Sequence, residues 1–280
     1  MITLRRKLTN HLATALCGGA LLLAVTPLLS VLWLVVSKGL AGLSLDFLTQ
    51  LPKPMGEDGG GVANGLIGSF FMVGLAALIA VPLGTGAGIY LAERDLGRTP
   101  RIVRFTAEVL SGVPSIVVGI VAYGLLVVPM KRFSALAGAV ALAVLMVPTL
   151  ARSTEELVRL VPRSLREASL ALGVPEWKTS LFIIVRTAMP GIVTAILLAL
   201  ARALGETAPL LFTALNNQYW SLKADQPMSS LTVQIFNYAV SPYEDWHRKA
   251  WTAALVLLMV VGTLSITART LARQRFARNK

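Results

Sequence analysis

The sequence predicts an all-α polytopic membrane protein with six transmembrane helices, and three observations carry that expectation. Of 280 residues, 55% are hydrophobic and only 14% are charged, whereas a soluble domain carries about a quarter charged residues. Mean hydropathy is +0.69. Stretches without Asp, Glu, Lys or Arg cover 8–37, 59–92, 109–130, 133–151 and 250–268, and 187–222 is interrupted only by Arg202 and Glu206. The remaining charge is lopsided: 26 Lys and Arg against 14 Asp and Glu give a net charge of +12. In a soluble protein such a balance points to nucleic acid. In so apolar a chain it points to basic loops on one side of a membrane, and no nucleic-acid partner is expected.

A spanning helix needs about 20 mostly apolar residues. This rule places spans near 14–36, 66–91, 109–129, 134–152, 189–213 and 250–269. The first follows Arg5, Arg6 and Lys7, as a secretory signal would. Its apolar stretch is longer than a signal core of about 7 to 15 residues, so the helix is expected to be retained. Leu16 stands where a lipid-modified cysteine is preceded by a small residue, which leaves Cys17 as a small apolar filler. A single cysteine forms no internal disulfide. With His11 and His247 near opposite ends of the chain, neither a metal centre nor redox chemistry is expected. In span two, Gly84, Gly86 and Gly88 follow Pro82 and suit close helix packing rather than a dinucleotide fingerprint.

The segment 38–65 contains Pro52, Pro54 and the run Met55-Gly56-Glu57-Asp58-Gly59-Gly60-Gly61, and reads as an exposed loop. The segment 214–249 carries Tyr219, Trp220, Tyr243 and Trp246, residues suited to a membrane boundary. Within it, Ser229 to Val240 reads either as a short interfacial helix or as an irregular loop.

Orientation follows from the basic residues. Eighteen of the 26 fall in the amino-terminal tail, the segment between spans two and three, the segment 152–188 and the carboxy-terminal tail. Seven fall in the alternate loops, and Arg202 lies within a span. The positive-inside rule therefore predicts cytoplasmic termini. The expected organisation is a cytoplasmic tail over 1–13, a six-helix membrane domain over 14–269, and a basic cytoplasmic tail over 270–280.

The cytoplasmic segment 152–188 is too long for a simple turn. Glu155 and Glu156 read as solvated or interface groups at the end of span four, and Glu108 as a boundary residue before span three. Further on, Ser164 and Glu167 have the spacing of a capping box. Leu165, Ala168 and Leu172 would share a face, Gly173 can end the helix in a left-handed conformation, and Pro175 can open the next. The residues alone allow a connector lying on the membrane surface or a docking element for a partner.

Here the sequence resembles a known motif. Glu167-Ala168-Ser169, then Gly173, then Ile183 has the spacing of the EAA loop of ATP-binding-cassette importer permeases. Two departures are Ser169 in place of a second Ala and Arg186 where the motif has proline, with Pro190 four residues further on. The resemblance implies that a coupling segment over about 159–178 docks on an ATPase subunit through Glu167, Ala168, Ser169 and Gly173.

A second resemblance narrows the substrate. The run Ala201-Arg202-Ala203-Leu204-Gly205-Glu206-Thr207-Ala208-Pro209-Leu210 is similar to the fifth-span signature of phosphate-transporter permeases. Met228-Ser229-Ser230-Leu231 with Gln234-Ile235-Phe236 resembles their following outer segment, and the Gly-rich loop resembles that of the A-type permeases of the phosphate (Pst) system. The likeness implies a type I ABC importer permease fold and an ATP-driven importer of phosphate. It also implies as partners a second homologous permease, an ATPase dimer, an external phosphate-binding protein and membrane lipid. No cofactor is implied.

Arg202 and Glu206 then need a reason. In a span over 189–213, Arg202 falls near the midplane, where a charge costs about 2.5–3.5 kcal/mol on insertion scales. Glu206, four residues on, would share its face, as would the small residues Gly191, Ala195, Ala199, Pro209 and Thr213. In one reading Arg202 faces the translocation path and transiently contacts the anion while Glu206 limits how tightly it is held. In the other, the pair neutralises itself and fixes helix packing.

The chain is not expected to be an enzyme. A nucleotide-binding loop needs glycine at two positions that Leu172 and Trp177 occupy before Lys178-Thr179, so ATP must be hydrolysed on another chain. The alternatives to phosphate import are a permease for another oxyanion or small solute, and a membrane-embedded sensor or scaffold.

Overall fold

The computed structural model describes residues 2–277 except 55, 58, 95 and 96, with side chains from 6 to 270. Met55, Asp58, Arg278 and Lys280 lie outside the described residues, as do the side chains of Arg5, Arg273 and Arg275. Among the described residues the architecture is helical throughout, without a strand. Five helices are long and apolar enough to cross a membrane, or six if one bent pair forms a single span.

The first helix, α1, runs Ile2–Gly39, so most of the segment expected as a tail continues the helix. It is exposed along most of its length, Cys17 included, and packs on α11, Glu244–Ala277.

The segment after α1 is more ordered than an exposed loop. Ser44 caps a short helix, α2, Leu45–Thr49, by accepting from the Phe47 amide at 3.1 Å. Phe47 is buried, and its carbonyl accepts from the Val62 amide at 2.9 Å while the Leu51 carbonyl accepts from Gly61 at 3.0 Å. The glycines thus let the chain fold back upon α2 where composition pointed to open solvent.

The core is built where α3, Ala63–Glu93, lies along α6, Ala135–Arg159. Ala76 and Ala80 on α3, with Ala139 and Ala143 on α6, are buried at this seam. In a bilayer such small residues drive association by letting backbones approach. Gly84 and Gly88 continue the seam. A Cβ at Gly84 would lie 2.7 Å from the Leu150 Cβ, and one at Gly88 would lie 2.6 Å from the Thr154 Cβ. Gly86 faces open space and does not join the seam.

Span three is not the straight helix expected over 109–129. An amphipathic helix α4, Arg98–Gly112, meets α5, Ser115–Met130, at 102°. Pro114 explains the break: it disfavours helical geometry at Val113, which is extended at ψ 129°. Glu108 consequently lies within α4, not at a boundary, and pairs with Arg152 at 2.6 Å.

Span five is shifted as well. The helix α8, Glu176–Leu204, begins thirteen residues before the expected start and passes through a π-helical turn, Thr179–Ile184. It ends at Leu204, and after Gly205-Glu206-Thr207 a separate short helix, α9, Ala208–Thr213, follows. The small-residue stripe expected on one face is therefore divided. Gly191 faces Leu157 of α6, whereas Pro209 lies against Gly119 of α5.

The segment after α9 returns into the bundle. Thr213 accepts from the Ser134 amide at 3.0 Å, which joins the end of α9 to the start of α6. Ser230 then caps a helix α10, Leu231–Ala239, accepting from Val233 at 3.2 Å. Leu231, Thr232, Val233 and Gln234 are all buried, so the segment is a helix packed into the protein and not an irregular loop.

Candidate functional site

Two places bring the sequence-selected residues together. The first is the basic end of the bundle. Here α7, Arg163–Ala171, lies between α6 and α8. Its amino-terminal cap is Pro162 and not Ser164, which sits inside the first turn, so the expected capping box does not form. The helix is stopped as its glycine requires. Gly173 has φ +77°, its amide reaches the Leu170 carbonyl at 2.9 Å, and the Val174 amide reaches Ser169 at 3.2 Å. These two bonds form a Schellman motif, in which glycine is favoured because a Cβ disfavours left-handed geometry. Pro175 then caps the first turn of α8.

Within α7, Ser169 is 4% exposed and its hydroxyl shares a 2.8 Å hydrogen bond with buried Thr179. Arg166 turns inward beside it. Its guanidinium grips Glu93 with two nitrogens, one at 2.7 Å, and this pairing raises the arginine pKa above its ordinary value. Glu167, Ala168 and Gly173 are exposed. So are Leu165, Leu172 at 83% and Trp177 at 58%, so the face shared by Leu165, Ala168 and Leu172 is turned outward.

The same end holds a second ionic cluster that spacing did not reveal. Glu155, expected as a solvated or interface group, is buried within the chain. It accepts from Arg104 at 2.7 Å and pairs with Arg159 at 3.0 Å. Arg104 also donates to the carbonyl of Leu91 at the end of α3. Burial would strongly disfavour this carboxylate alone, and two guanidiniums supply the compensation.

The second place is the break between α8 and α9. Arg202 lies in the last turn of α8, and Glu206 lies beyond the helix end. Their side chains approach to 4.0 Å between Nε and Oε1, with the arginine 70% exposed and the glutamate 19% exposed. They line a small cleft with Leu142, Leu145, Met146 and Thr149 of α6. Leu145 is ten residues into α6, about 15 Å from its end, which is half the thickness of a bilayer core of about 30 Å. Arg202 thus lies level with the middle of α6, although α8 already ends at Leu204. Irregular backbone at that depth must be satisfied within the protein. Glu206 donates its amide to Ala203 at 3.2 Å, and its carbonyl accepts from the Thr232 hydroxyl of α10 at 2.9 Å. Thr232 was not singled out in the sequence; its only mark is its place next to the Met228–Leu231 run.

Residues 84–278 match the family described as the binding-protein-dependent transport system inner membrane component. The phosphate transport system permease protein PstA of Yersinia pestis is 42% identical over 278 residues, covering 98% of this chain and 92% of that protein. PstA of Xylella fastidiosa strain 9a5c is 46% identical over 270 residues, covering 95% and 93%. Among solved structures, an inward-facing MetNI methionine ABC transporter superposes with a TM-score of 0.65 at 19% identity. It covers 76% of this chain and 95% of that one. The fold is that of a type I ABC importer permease. By the matched span and by identity across nearly its whole length, the chain belongs to the binding-protein-dependent inner membrane transport components, and among them to the PstA phosphate permease family.

Proposed function

We propose that the chain is the transmembrane permease subunit of an ATP-driven importer of inorganic phosphate and forms half of the translocation path. The observation that carries this reading is the exposed guanidinium of Arg202 at a mid-membrane break in a chain related to named phosphate permeases. A planar guanidinium offers paired donors that match phosphate oxygens. The anion would meet Arg202 transiently. Glu206, only 4.0 Å away, competes for the same guanidinium and keeps the anion from being held too tightly to leave.

The basic end faces the cytoplasm in this reading, with both termini on that side, which the placement of Lys and Arg supports. Glu167, Ala168 and the Gly173 cap, with the outward Leu172 and Trp177, dock on an ATPase subunit, while Ser169 secures the helix from within. The apolar exposure of this helix supports docking over a bare connector. The remaining partners are a second homologous permease, a second ATPase copy, an external phosphate-binding protein and the surrounding lipid.

The test is ATP-dependent phosphate accumulation by the reconstituted assembly. Arg202→Gln should lower uptake at least about tenfold, the equivalent of one charge-assisted contact of about 1.4 kcal/mol, with membrane abundance unchanged. Native uptake at native abundance would remove Arg202 from the path and leave the pair a packing role. Accumulation of another oxyanion in place of phosphate would replace the substrate.

A further inference from the structure

The α7 segment is fastened to two spanning helices, and the second fastening leads back to the break. The first is to α8, by chain continuity and by the Ser169–Thr179 hydroxyl pair. The second is Arg166, whose two-point grip on Glu93 reaches the last residue of α3, 73 positions earlier. Two parallel bonds fix orientation as well as distance. The side chains are 35% and 18% exposed, so this is no loose surface pair.

From Glu93, α3 runs back to Ser69, about 36 Å of helix. Pro82 removes one rung of its hydrogen-bond ladder. The flush seam of Ala76, Ala80, Gly84 and Gly88 against α6 nevertheless holds both halves to one neighbour. At the far half, the Ser69 hydroxyl accepts from the Leu231 amide of α10 at 2.8 Å. The next residue, Thr232, donates to the Glu206 carbonyl in the break. Two adjacent residues of α10 thus hold α3 with one bond and the break with the other.

We propose that α3 is the transmission element of this permease. The Arg166–Glu93 pair passes movement of α7 to α3, and the Ser69–Leu231 and Thr232–Glu206 bonds pass it to the break beside Arg202. The inference deepens the proposed function and rests on its reading of α7 as the ATPase-docking helix. Arg166, Glu93 and Ser69 are positioning residues: none of them contacts the anion. The expected signature is uncoupling, in which ATP is hydrolysed without transport, and a merely structural pair would not produce it.

The experiment measures phosphate uptake per ATP hydrolysed by the full importer in proteoliposomes, with ATPase co-purification and membrane abundance as companions. Glu93→Gln and Arg166→Gln should each lower the ratio at least about fivefold, the lower end of ordinary coupling between sites, with ATPase recovery unchanged. The exchanged pair, Glu93→Arg with Arg166→Glu, should recover most of the ratio. Ser69→Ala, remote from the docking surface, should lower it in the same way. Native ratios in the single variants overturn the proposal, as does an exchanged pair that reaches native abundance without recovery. If the exchanged pair does not reach the membrane, Ser69→Ala decides, and an unchanged ratio overturns the proposal. Loss of ATPase recovery in the single variants also overturns it, by assigning the pair to docking. Failure of the underlying reading is distinguishable: Gly173→Asp would then leave ATPase recovery intact.

Discussion

The basic end and the mid-membrane break solve opposite problems. At the basic end the charges turn inward and the apolar groups turn out: Arg166 grips Glu93, Glu155 is buried between two arginines, and Leu172 and Trp177 stand in the open. At the break the backbone is secured inside by Thr232, and the charge of Arg202 is what remains exposed. Each place presents the group that its counterpart lacks. A protein surface desolvates an exposed leucine or tryptophan favourably, whereas an anion in a low-dielectric passage needs a guanidinium. Exposure, more than residue type, separates the two roles within one molecule.

The largest effect is expected from Gly173→Asp. A Cβ there meets open space, so the fold bears only about 1 kcal/mol of left-handed strain, yet a carboxylate appears in the middle of the outward face. Recovery of the ATPase subunit in pull-downs should fall at least about tenfold while membrane insertion persists. Equal recovery would mean that the outward face is not where the ATPase sits.

A smaller effect is expected from Thr232→Val, which keeps the shape and removes the donor to Glu206. An unpaired buried carbonyl costs about 1–3 kcal/mol, so the purified protein should melt several degrees earlier in detergent. Uptake should fall with it. An unchanged melting temperature would mean that the break is held by its own turn bonds alone.

The smallest effect belongs to Arg152→Gln. Its bond to Glu108 is short, but the side chains are 45% and 57% exposed, and such pairs contribute about 0–1 kcal/mol. Melting temperature and uptake should both stay near native values. A large loss would show that the basic end moves as one ionic block, and would weaken the distinction drawn between the Arg166–Glu93 pair and its neighbours.

Much of the helical plan is legible in the sequence because membrane spanning depends on composition over a long window, and charge-free runs record it directly. Gly173 is legible for a different reason: a helix stop needs one residue type at one place. The breaks were hidden inside apolar runs. Pro114 lies in the run 109–130, and Gly205 with Pro209 lies in the run read as span five, although glycine and proline are the punctuation that marks such points. The pairs Arg166–Glu93 and Glu155–Arg104 had no legible trace, because nothing in local spacing relates residues joined only by the packing of α3, α4, α6 and α7. The glycine-rich segment misled in the other direction. Its composition suggests solvent, while buried Phe47 and the carbonyls around it need a partner strand of backbone with no side chains in the way.

The corner between α4 and α5 bears on the lipid around the protein. From Ser115 to Met130, α5 rises about 24 Å, about 6 Å less than the hydrocarbon core. The exposed Ile102, Phe105 and Val109 of α4 extend the apolar cladding sideways below it. This flank is therefore a short wall above a ledge, whereas α3, α8 and α11 are long enough for full-height walls. Where lipid meets this flank, a bilayer thicker than α5 must pucker or press on the bend at Pro114, which makes acyl-chain length a mechanical load on one side of the molecule.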